Sequence, residues 1–264
     1  MVMSRDRNPY ALLEAPRALA EFGMLPWAQP LLGLTPMGDG HTVLVLPGFG
    51  GSDRSTWPLR KFLRSRNYWA SGWKQGRNLG LHRLGGITAL VSLLDRLLDE
   101  SGRKVSLIGW SLGGVQARRL AARSPEKVRQ VICLGSPIQA APVATPAYRL
   151  YETINGIPTT GHSERLSSGS LNTLPVPCSS IYSRTDGIVP WQFSLEPESP
   201  QSESIEVFGS HLGLGVNAAV FYILANRLAQ IEGRWQPFES THLTDKVALR
   251  LLEPLAPFFG RQAS

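Results

Sequence analysis

The stretch 109–113, Gly-Trp-Ser-Leu-Gly, limits what this chain can fold into more than any other part of the sequence. It follows the apolar run 105–108, which is typical of a buried strand, and it precedes 114–120, whose residues favour a helix. A strand-to-helix turn this tight strains the backbone, so it needs small residues on both sides of the serine. The turn is therefore predicted to present the Ser111 hydroxyl in a crevice at the carboxyl end of a sheet.

Strands and helices alternate along most of the sequence. The run 42–46 is apolar throughout, as expected of a strand covered on both faces. Each predicted strand is separated from the next by a connection long enough for a helix, and parallel strands require such crossovers. The chain is therefore predicted to be an α/β protein with a mainly parallel sheet of about six strands flanked by helices. The predicted strands are 42–46, 68–73, 105–109, 128–134, 178–182 and 204–208, and the clearest helices are 56–66, 87–99 and 114–123.

Three regions depart from this alternation. Asn8 and Pro9 predict a helix start, and the apolar run 10–34 is expected to pack as helices on the core edge or to form a surface resting on lipid. The segment 137–177 is rich in Pro, Ser, Thr and Gly, which favours either a lid over an active site or an insertion without function. The predicted organisation is an N-terminal helical segment 1–40, a core of 41–136 and 178–230, the insertion 137–177, and a C-terminal extension 231–264 with an amphipathic helix over 243–255.

Composition narrows the function classes. The chain of 264 residues has 42% hydrophobic and 18% charged residues, which is typical of a globular protein with one substantial core. The basic residues behind the net charge of +7 are scattered and accompany no nucleic-acid-binding motif, so no nucleic-acid partner is expected. The positive charge has two interpretations: a basic surface without a special partner, or a surface that is attracted to anionic lipid. Cys133 and Cys178 are predicted to be free, buried thiols, with no metal site.

The sequence also carries a prediction of location. The N-terminal region lacks the uninterrupted apolar core of a secretion signal, and no stretch approaches the length of a membrane span. We therefore expect a cytoplasmic protein, with peripheral membrane contact left open.

A serine hydroxyl becomes a nucleophile when a neighbouring base takes its proton, and that base is usually a histidine oriented by a carboxylate. His211 follows the last predicted strand between glycines and is the favoured base, with His82 as the alternative. Asp186 lies in a turn after the preceding strand and is the favoured acid. The chain order Ser111, Asp186, His211 is the order this turn geometry requires. Less favoured are the histidines His41, His162 and His242 and the acids Asp53, Asp95 and Asp99.

An oxyanion that forms on an attacked carbonyl needs hydrogen-bond donors aimed at it in advance. The backbone N–H of Leu112 is one candidate, because it follows the nucleophile at a helix start. The loop 47–53, Pro-Gly-Phe-Gly-Gly-Ser-Asp, offers the amide of Phe49 as the other. Its glycines permit the close approach of backbone that such a site requires.

Four stretches together resemble the α/β-hydrolase superfamily over roughly residues 40 to 230. They read VLVLPGFGGSD, LIGWSLGG, SRTDGIVP and GSHLGLG, and GWKQGRNLG at 72–80 resembles a stretch of bacterial lipase-like hydrolases and acyltransferases. The resemblance implies the α/β-hydrolase fold, an insertion after the sixth strand of the family, a Ser-acid-His mechanism through an acyl-enzyme, and no metal or organic cofactor. It also points to a substrate-contacting rim, for which the candidates are Gly48, Arg77, Asn78, Trp110 and Trp191; Arg77 and Asn78 could equally brace their loop.

The sequence therefore predicts a serine hydrolase that cleaves a small-molecule or lipid ester with an apolar acyl group. An acyltransferase or thioesterase would use the same triad with a different acceptor or leaving group, so this alternative stays open. A non-catalytic binding protein on the same fold is disfavoured, because all three residues of the triad are present.

Overall fold

The computed structural model describes residues 9–139, 173–238 and 243–252. Its centre is a six-stranded sheet in the order β2-β1-β3-β4-β5-β6, in which every neighbouring pair is parallel. This confirms the predicted fold class. The strands are β1 (Thr42–Leu46), β2 (Trp69–Gly72), β3 (Val105–Trp110), β4 (Val128–Leu134), β5 (Cys178–Tyr182) and β6 (Ser202–Glu206).

Helices cover both faces of the sheet, which explains why β1, β4 and β5 are buried along their whole length. One apolar core joins α1, α2, α5 and the end of α6 to one sheet face, and a second core joins α3 and α4 to the other. The helices are α1 (Glu14–Leu32), α2 (Trp57–Ser65), α3 (Thr88–Ser101), α4 (Leu112–Arg123), α5 (Ala218–Leu228) and α6 (Leu243–Leu252).

The described part of the N-terminal segment contains a long helix, which starts later than the sequence predicts. Pro9 and Tyr10 form a turn, a 3₁₀ turn follows at Ala11–Leu13, and α1 begins only at Glu14. The helix then runs unbroken for 19 residues through Pro26 and Pro30, each of which removes one N–H from the helical hydrogen bonds.

The last strand lies two residues earlier than predicted. Ile205, Val207 and Phe208 suggested a strand over 204–208, but pairing with β5 fixes β6 at Ser202–Glu206. This edge strand has a mostly polar, partly exposed sequence, so hydrophobicity alone places it poorly. The register is continued by one further hydrogen bond, from the Val207 amide to the Tyr182 carbonyl at 2.9 Å.

Parts of three predicted regions lie outside the described residues. They are 1–8 of the N-terminal segment, with the predicted helix cap Asn8, 140–172 of the insertion, with His162, and 239–242 and 253–264 of the C-terminal extension, with His242. Within the described part, none of the helices is both long enough and apolar enough to cross a membrane. Cys133 and Cys178 are free and buried, and burial raises the pKa of the Cys133 thiol to about 12.

Candidate active site

Ser111 sits on a strained turn between β3 and α4. Its backbone has φ 53° and ψ −120°, a left-handed conformation that a residue with a side chain rarely adopts. The turn is anchored by the Ser111 amide, which donates to the Leu134 carbonyl of β4 at 2.8 Å. Gly113 is required here for space, since a Cβ at that position would overlap the carbonyl of Leu46 on the neighbouring strand. The local geometry is therefore that of a nucleophile elbow.

The structure brings the predicted acid, base and nucleophile into one hydrogen-bonded chain. His211 Nε2 lies 3.0 Å from Ser111 Oγ, and His211 Nδ1 lies 2.6 Å from Asp186 Oδ2. The other carboxylate oxygen of Asp186 accepts from the amides of Ile188 at 2.8 Å and Val189 at 2.7 Å. The aspartate is thereby fixed by its own loop, and the histidine is oriented between it and the serine.

The three hydrogen-bonded side chains differ in solvent exposure in a way that suits catalysis. Asp186 and His211 are each 3% exposed, whereas Ser111 is only partly buried. Burial opposes the charged imidazolium, but the Asp186 carboxylate, its hydrogen bond and the nearby Glu14 carboxylate outweigh that effect and raise the pKa of His211 above its ordinary 6.5. The site therefore stabilises the imidazolium that forms when His211 takes a proton.

The loop after β1 lies against the nucleophile. Gly48 is buried, and a Cβ there would stand 3.3 Å from the Cβ of Ser111. Phe49 follows it and is partly exposed. Leu112 opens α4, where the first N–H groups of a helix have no partner within the helix. The two predicted oxyanion donors are thus carried by segments that border Ser111.

The side chain of Asn78 is buried beneath this loop and hydrogen-bonds to it, so it does not line the substrate-contacting rim. Its side chain is completely buried; Nδ2 donates to the Pro47 carbonyl at 2.7 Å and to Gln116 Oε1 at 3.0 Å. Its Oδ1 accepts from Gln116 Nε2 at 2.9 Å and from the Gly80 amide at 3.1 Å. The backbone of Asn78 also pairs with Gly50 and Gly51 of this loop, which we call the oxyanion loop (47–53) after its predicted role. The bond to Gly80 braces the residue's own loop, which is one of the two sequence hypotheses; the bonds to the loop at 47–53 and to Gln116 were not predicted.

The other predicted rim residues have separate surroundings. Trp110 donates from Nε1 to the His211 carbonyl at 3.0 Å, so its indole ties the nucleophile strand to the histidine loop. Trp191 stacks on Tyr182, and the guanidinium of Arg184 lies 4.6 Å above its ring. Arg77 is exposed at the surface of its loop.

The alternative bases and acids lie elsewhere. His82 is exposed in the 3₁₀ turn Leu81–Leu84. Asp95 pairs with Lys127 at 2.7 Å. Both carboxylate oxygens of Asp53 accept backbone amides at the end of β2, those of Trp73 and Lys74.

A second hydrogen-bonded serine-histidine-aspartate cluster lies at the opposite end of the strands, where β1 and β3 begin. His41 Nε2 is 2.8 Å from Ser106 Oγ, and its Nδ1 is 2.5 Å from Asp39. His41 and Ser106 are fully buried, and burial, with Arg129 and Arg103 nearby, lowers the pKa of His41 despite the Asp39 hydrogen bond. Asp39 is exposed, but a substrate cannot reach the buried serine and histidine, so this cluster is structural and connectivity alone does not define a catalytic triad.

Three residues at the site were missed as functional candidates in the sequence. Glu14, Arg17 and Glu21 of α1 are buried against the loops that carry Asp186 and His211. A signal was present, because their spacing of three and four residues places them on one face of a helix. Sequence reasoning missed this signal because the three charges interrupt an otherwise apolar segment.

Comparison with known families agrees with this geometry. The model of the alpha/beta hydrolase family matches residues 43–255, which is most of the chain. The chain belongs to the alpha/beta hydrolase family. Among the described residues of this alpha/beta hydrolase, no group of three or more His, Cys, Asp or Glu side chains could hold a metal ion.

Individual relatives are distant. A pimeloyl-[acyl-carrier protein] methyl ester esterase of Aliivibrio fischeri is 27% identical over 104 residues, which is 38% of each chain. Aspergillus fumigatus lipase B matches with a TM-score of 0.61 and 16% identity, over 80% of this chain and 56% of the lipase. Bacillus licheniformis lipase BlEst2 matches with a TM-score of 0.53 and 15% identity, over 75% and 95%. The chain thus spans well under two thirds of the first two proteins, and the structural matches establish the fold alone.

Proposed function

We propose that this alpha/beta hydrolase is a serine hydrolase that cleaves a carboxylic ester with an apolar acyl group through an acyl-enzyme. The observation that carries the proposal is the hydrogen-bonded chain from Ser111 Oγ through His211 to Asp186, built on a strained and partly exposed nucleophile turn. Three apolar side chains near the nucleophile are at least partly exposed: Leu112 follows Ser111, Leu212 follows His211, and Phe49 follows Gly48, which packs against Ser111. Their exposure favours an apolar acyl group.

The first half-reaction forms the acyl-enzyme. Ser111 Oγ attacks the carbonyl carbon of the ester while His211 Nε2 takes the hydroxyl proton. The amides of Phe49 and Leu112 stabilise the negative charge on the former carbonyl oxygen. When the tetrahedral intermediate collapses, the carbon–oxygen bond to the alcohol breaks, and His211 gives its proton to the departing alcohol.

The second half-reaction releases the acid. Water attacks the acyl carbon and loses a proton to His211 Nε2, which then returns the proton to Ser111 Oγ as the carboxylic acid leaves. Throughout the cycle Asp186 keeps the imidazole in one orientation and stabilises its charged form.

Turnover of p-nitrophenyl esters of graded chain length by the purified protein tests the proposal. We expect hydrolysis by the wild type and a loss of at least about a thousandfold in Ser111→Ala, since triad residues act as a unit. Product analysis with an added alcohol would reveal transfer in place of hydrolysis. Equal rates for the wild type and Ser111→Ala would refute the proposal.

A further inference from the structure

Helix α1 is inverted relative to an ordinary surface helix. Its charged residues Glu14, Arg17 and Glu21 face inward and are only 4%, 4% and 8% exposed. Most of its outward positions are apolar, whereas a surface helix usually presents charge to water and apolar residues to the core, as the second half of α1 does with Leu25, Ala28 and Leu32. Buried charges are costly unless they are paired or hydrogen-bonded, so the contacts of this inner stripe indicate what it is for.

Glu14 joins the acid loop to the histidine loop. One carboxylate oxygen accepts from the amide of Gly187 at 2.7 Å and from the amide of His211 at 3.0 Å. The other accepts from the amide of Leu212 at 2.9 Å. A single side chain therefore ties the residue after Asp186 to the backbone of the histidine itself.

Arg17 binds the loop that carries Asp186, and Glu21 binds the loop that carries His211. Arg17 donates to the carbonyl and to the hydroxyl of Thr185, both at 2.7 Å. Glu21 accepts from the amide of Ser210 at 2.7 Å and from its hydroxyl at 2.8 Å, and it also binds Asn217 at 2.9 Å. Together with Glu14, the stripe thus bonds both chain neighbours of Asp186 and both chain neighbours of His211.

We propose that Glu14, Arg17 and Glu21 are positioning residues that hold the acid and histidine loops in register with Ser111. This proposal rests on the proposed function of the triad. Hydrogen bonds of this kind are strong because one partner is charged, and displacements of about 1 Å at a reacting group cost about a hundredfold in rate. The N-terminal helix is then part of the catalytic apparatus without touching substrate.

Glu14→Gln tests the proposal, because the amide keeps the shape but turns a donor toward the Leu212 N–H. We expect kcat for a p-nitrophenyl ester to fall at least about tenfold with KM nearly unchanged. The acid limb of the pH profile should move to lower pH, since Asp186 and Glu14 are the charges that favour the imidazolium of His211. A merely structural residue would not move that limb.

Three further variants make the result decisive. Glu21→Gln should lower kcat and leave the acid limb in place, because Glu21 contacts Ser210 rather than His211. Arg17→Lys keeps the charge but loses the two-pronged contact with Thr185, and it provides a milder test if Glu14→Gln does not fold. Glu198→Gln, an exposed carboxylate, should behave as the wild type. Wild-type kcat and acid limb in Glu14→Gln, or wild-type kcat in Arg17→Lys, would overturn the proposal; an inactive wild type would instead refute the proposed function.

The outward side of α1 carries an independent observation. We call this surface the outer face, and it has apolar side chains with exposed fractions between 48% and 92%. They belong to Leu12, Leu19, Phe22, Trp27, Leu34 and Met37. Single exposed apolar residues are ordinary, but a series along one helix and its two ends marks an interaction surface.

Basic residues lie on the same side of the sheet as the outer face, and one of them contacts the end of α1. Lys61 and Arg64 of α2 are exposed, and Lys61 lies 5.2 Å over the ring of half-exposed Trp57. Arg66 follows α2 and donates to the carbonyl of Gly33 at 2.8 Å, which places basic charge at the end of α1. Exposed apolar and tryptophan side chains can insert into the surface of a bilayer, and Lys and Arg on the same side are attracted to anionic lipid headgroups.

We infer that the outer face rests on an anionic lipid surface. Co-sedimentation with phosphatidylglycerol-containing vesicles should show binding that weakens with added salt, whereas vesicles of phosphatidylcholine alone should bind at least about tenfold less. Replacing Leu19, Phe22 and Trp27 together by Ser should abolish binding. Lys61→Glu with Arg64→Glu should reduce it and, if the triple variant does not fold, provides the test. No binding at low salt, equal binding to both vesicles, or a dimer that the triple variant disrupts would overturn the inference.

Discussion

Replacement of Asn78 by Leu would test how the oxyanion loop is held. The change leaves three buried polar groups without their partner: the Pro47 carbonyl, the Gly80 amide and the side chain of Gln116. Each such group costs about 1–3 kcal/mol, so the free energy of unfolding should fall by at least about 3 kcal/mol. That is a large share of the roughly 5–15 kcal/mol that stabilises a typical domain.

The same change should affect catalysis. The variant keeps the backbone hydrogen bonds of residue 78 to Gly50 and Gly51 but loses the side-chain bond to the Pro47 carbonyl, so we expect the Phe49 amide, which lies between these contacts, to shift. Loss of a whole oxyanion donor typically costs about 10²- to 10³-fold in kcat, so a displaced donor should cost at least about tenfold. Chemical denaturation and p-nitrophenyl ester turnover would measure the two effects.

A double variant separates bracing from general damage. In Asn78→Leu combined with Gln116→Leu the orphaned glutamine is gone, so the double variant should lose clearly less stability than the sum of the single ones. Gln201→Leu, which removes an exposed amide, should leave stability and turnover unchanged. Wild-type stability and kcat in Asn78→Leu would refute this reasoning.

Three more predictions concern other parts of the molecule. The acid limb of kcat/KM should lie above pH 6.5, because the raised pKa of His211 keeps the base protonated to higher pH; a limb at or below 6.5 would contradict this. Glu196→Gln should cost about 3–5 kcal/mol in denaturation, since it leaves buried Arg118 without its carboxylate partner; a cost near zero would count against it. Gly113→Ala should abolish folding or activity, because the new Cβ overlaps the β1 backbone, while Gly23→Ala in the open part of α1 should add about 0.5–1 kcal/mol of stability; similar behaviour of both would refute the packing argument.

Much of the fold could be predicted from the sequence because several strands contain short apolar runs, such as 43–46 in β1 and 131–134 in β4. Each of the strands at 42–46, 128–134 and 178–182 was predicted with the bounds that the structure has. The edge strand β6 was placed two residues late because its sequence is polar and only pairing with β5 fixes its register. Apolar pattern thus defines strands buried on both faces and defines edge strands poorly.

The candidate site was predictable where local sequence determines geometry. The glycines around Ser111 prescribe the turn, and the positions of Asp186 and His211 after successive strands prescribe the sheet edge where they meet. A bracing role for Asn78 was one of the sequence hypotheses, but its partners were not predictable, because they come from a distant helix and from the loop at 47–51. The residues next to Asn78 in the sequence do not indicate which distant groups it pairs with.

The inner stripe of α1 shows a different limit. Glu14 lies 197 positions before His211 in the chain, and nothing near either residue indicates that they pair. The helical spacing of Glu14, Arg17 and Glu21 could have revealed a shared face, but hydropathy predicts that charged face to point outward. Only the tertiary structure inverts that expectation.

Reaction of the purified protein with a fluorophosphonate probe, followed by peptide mass spectrometry, tests the central claim most directly. The account predicts a single phosphonylated residue, Ser111, because its hydroxyl is hydrogen-bonded to His211 and is only partly buried. Ser111→Ala should then remain unlabelled. A folded wild-type protein that is not labelled, or a label on a serine other than Ser111, would contradict the account.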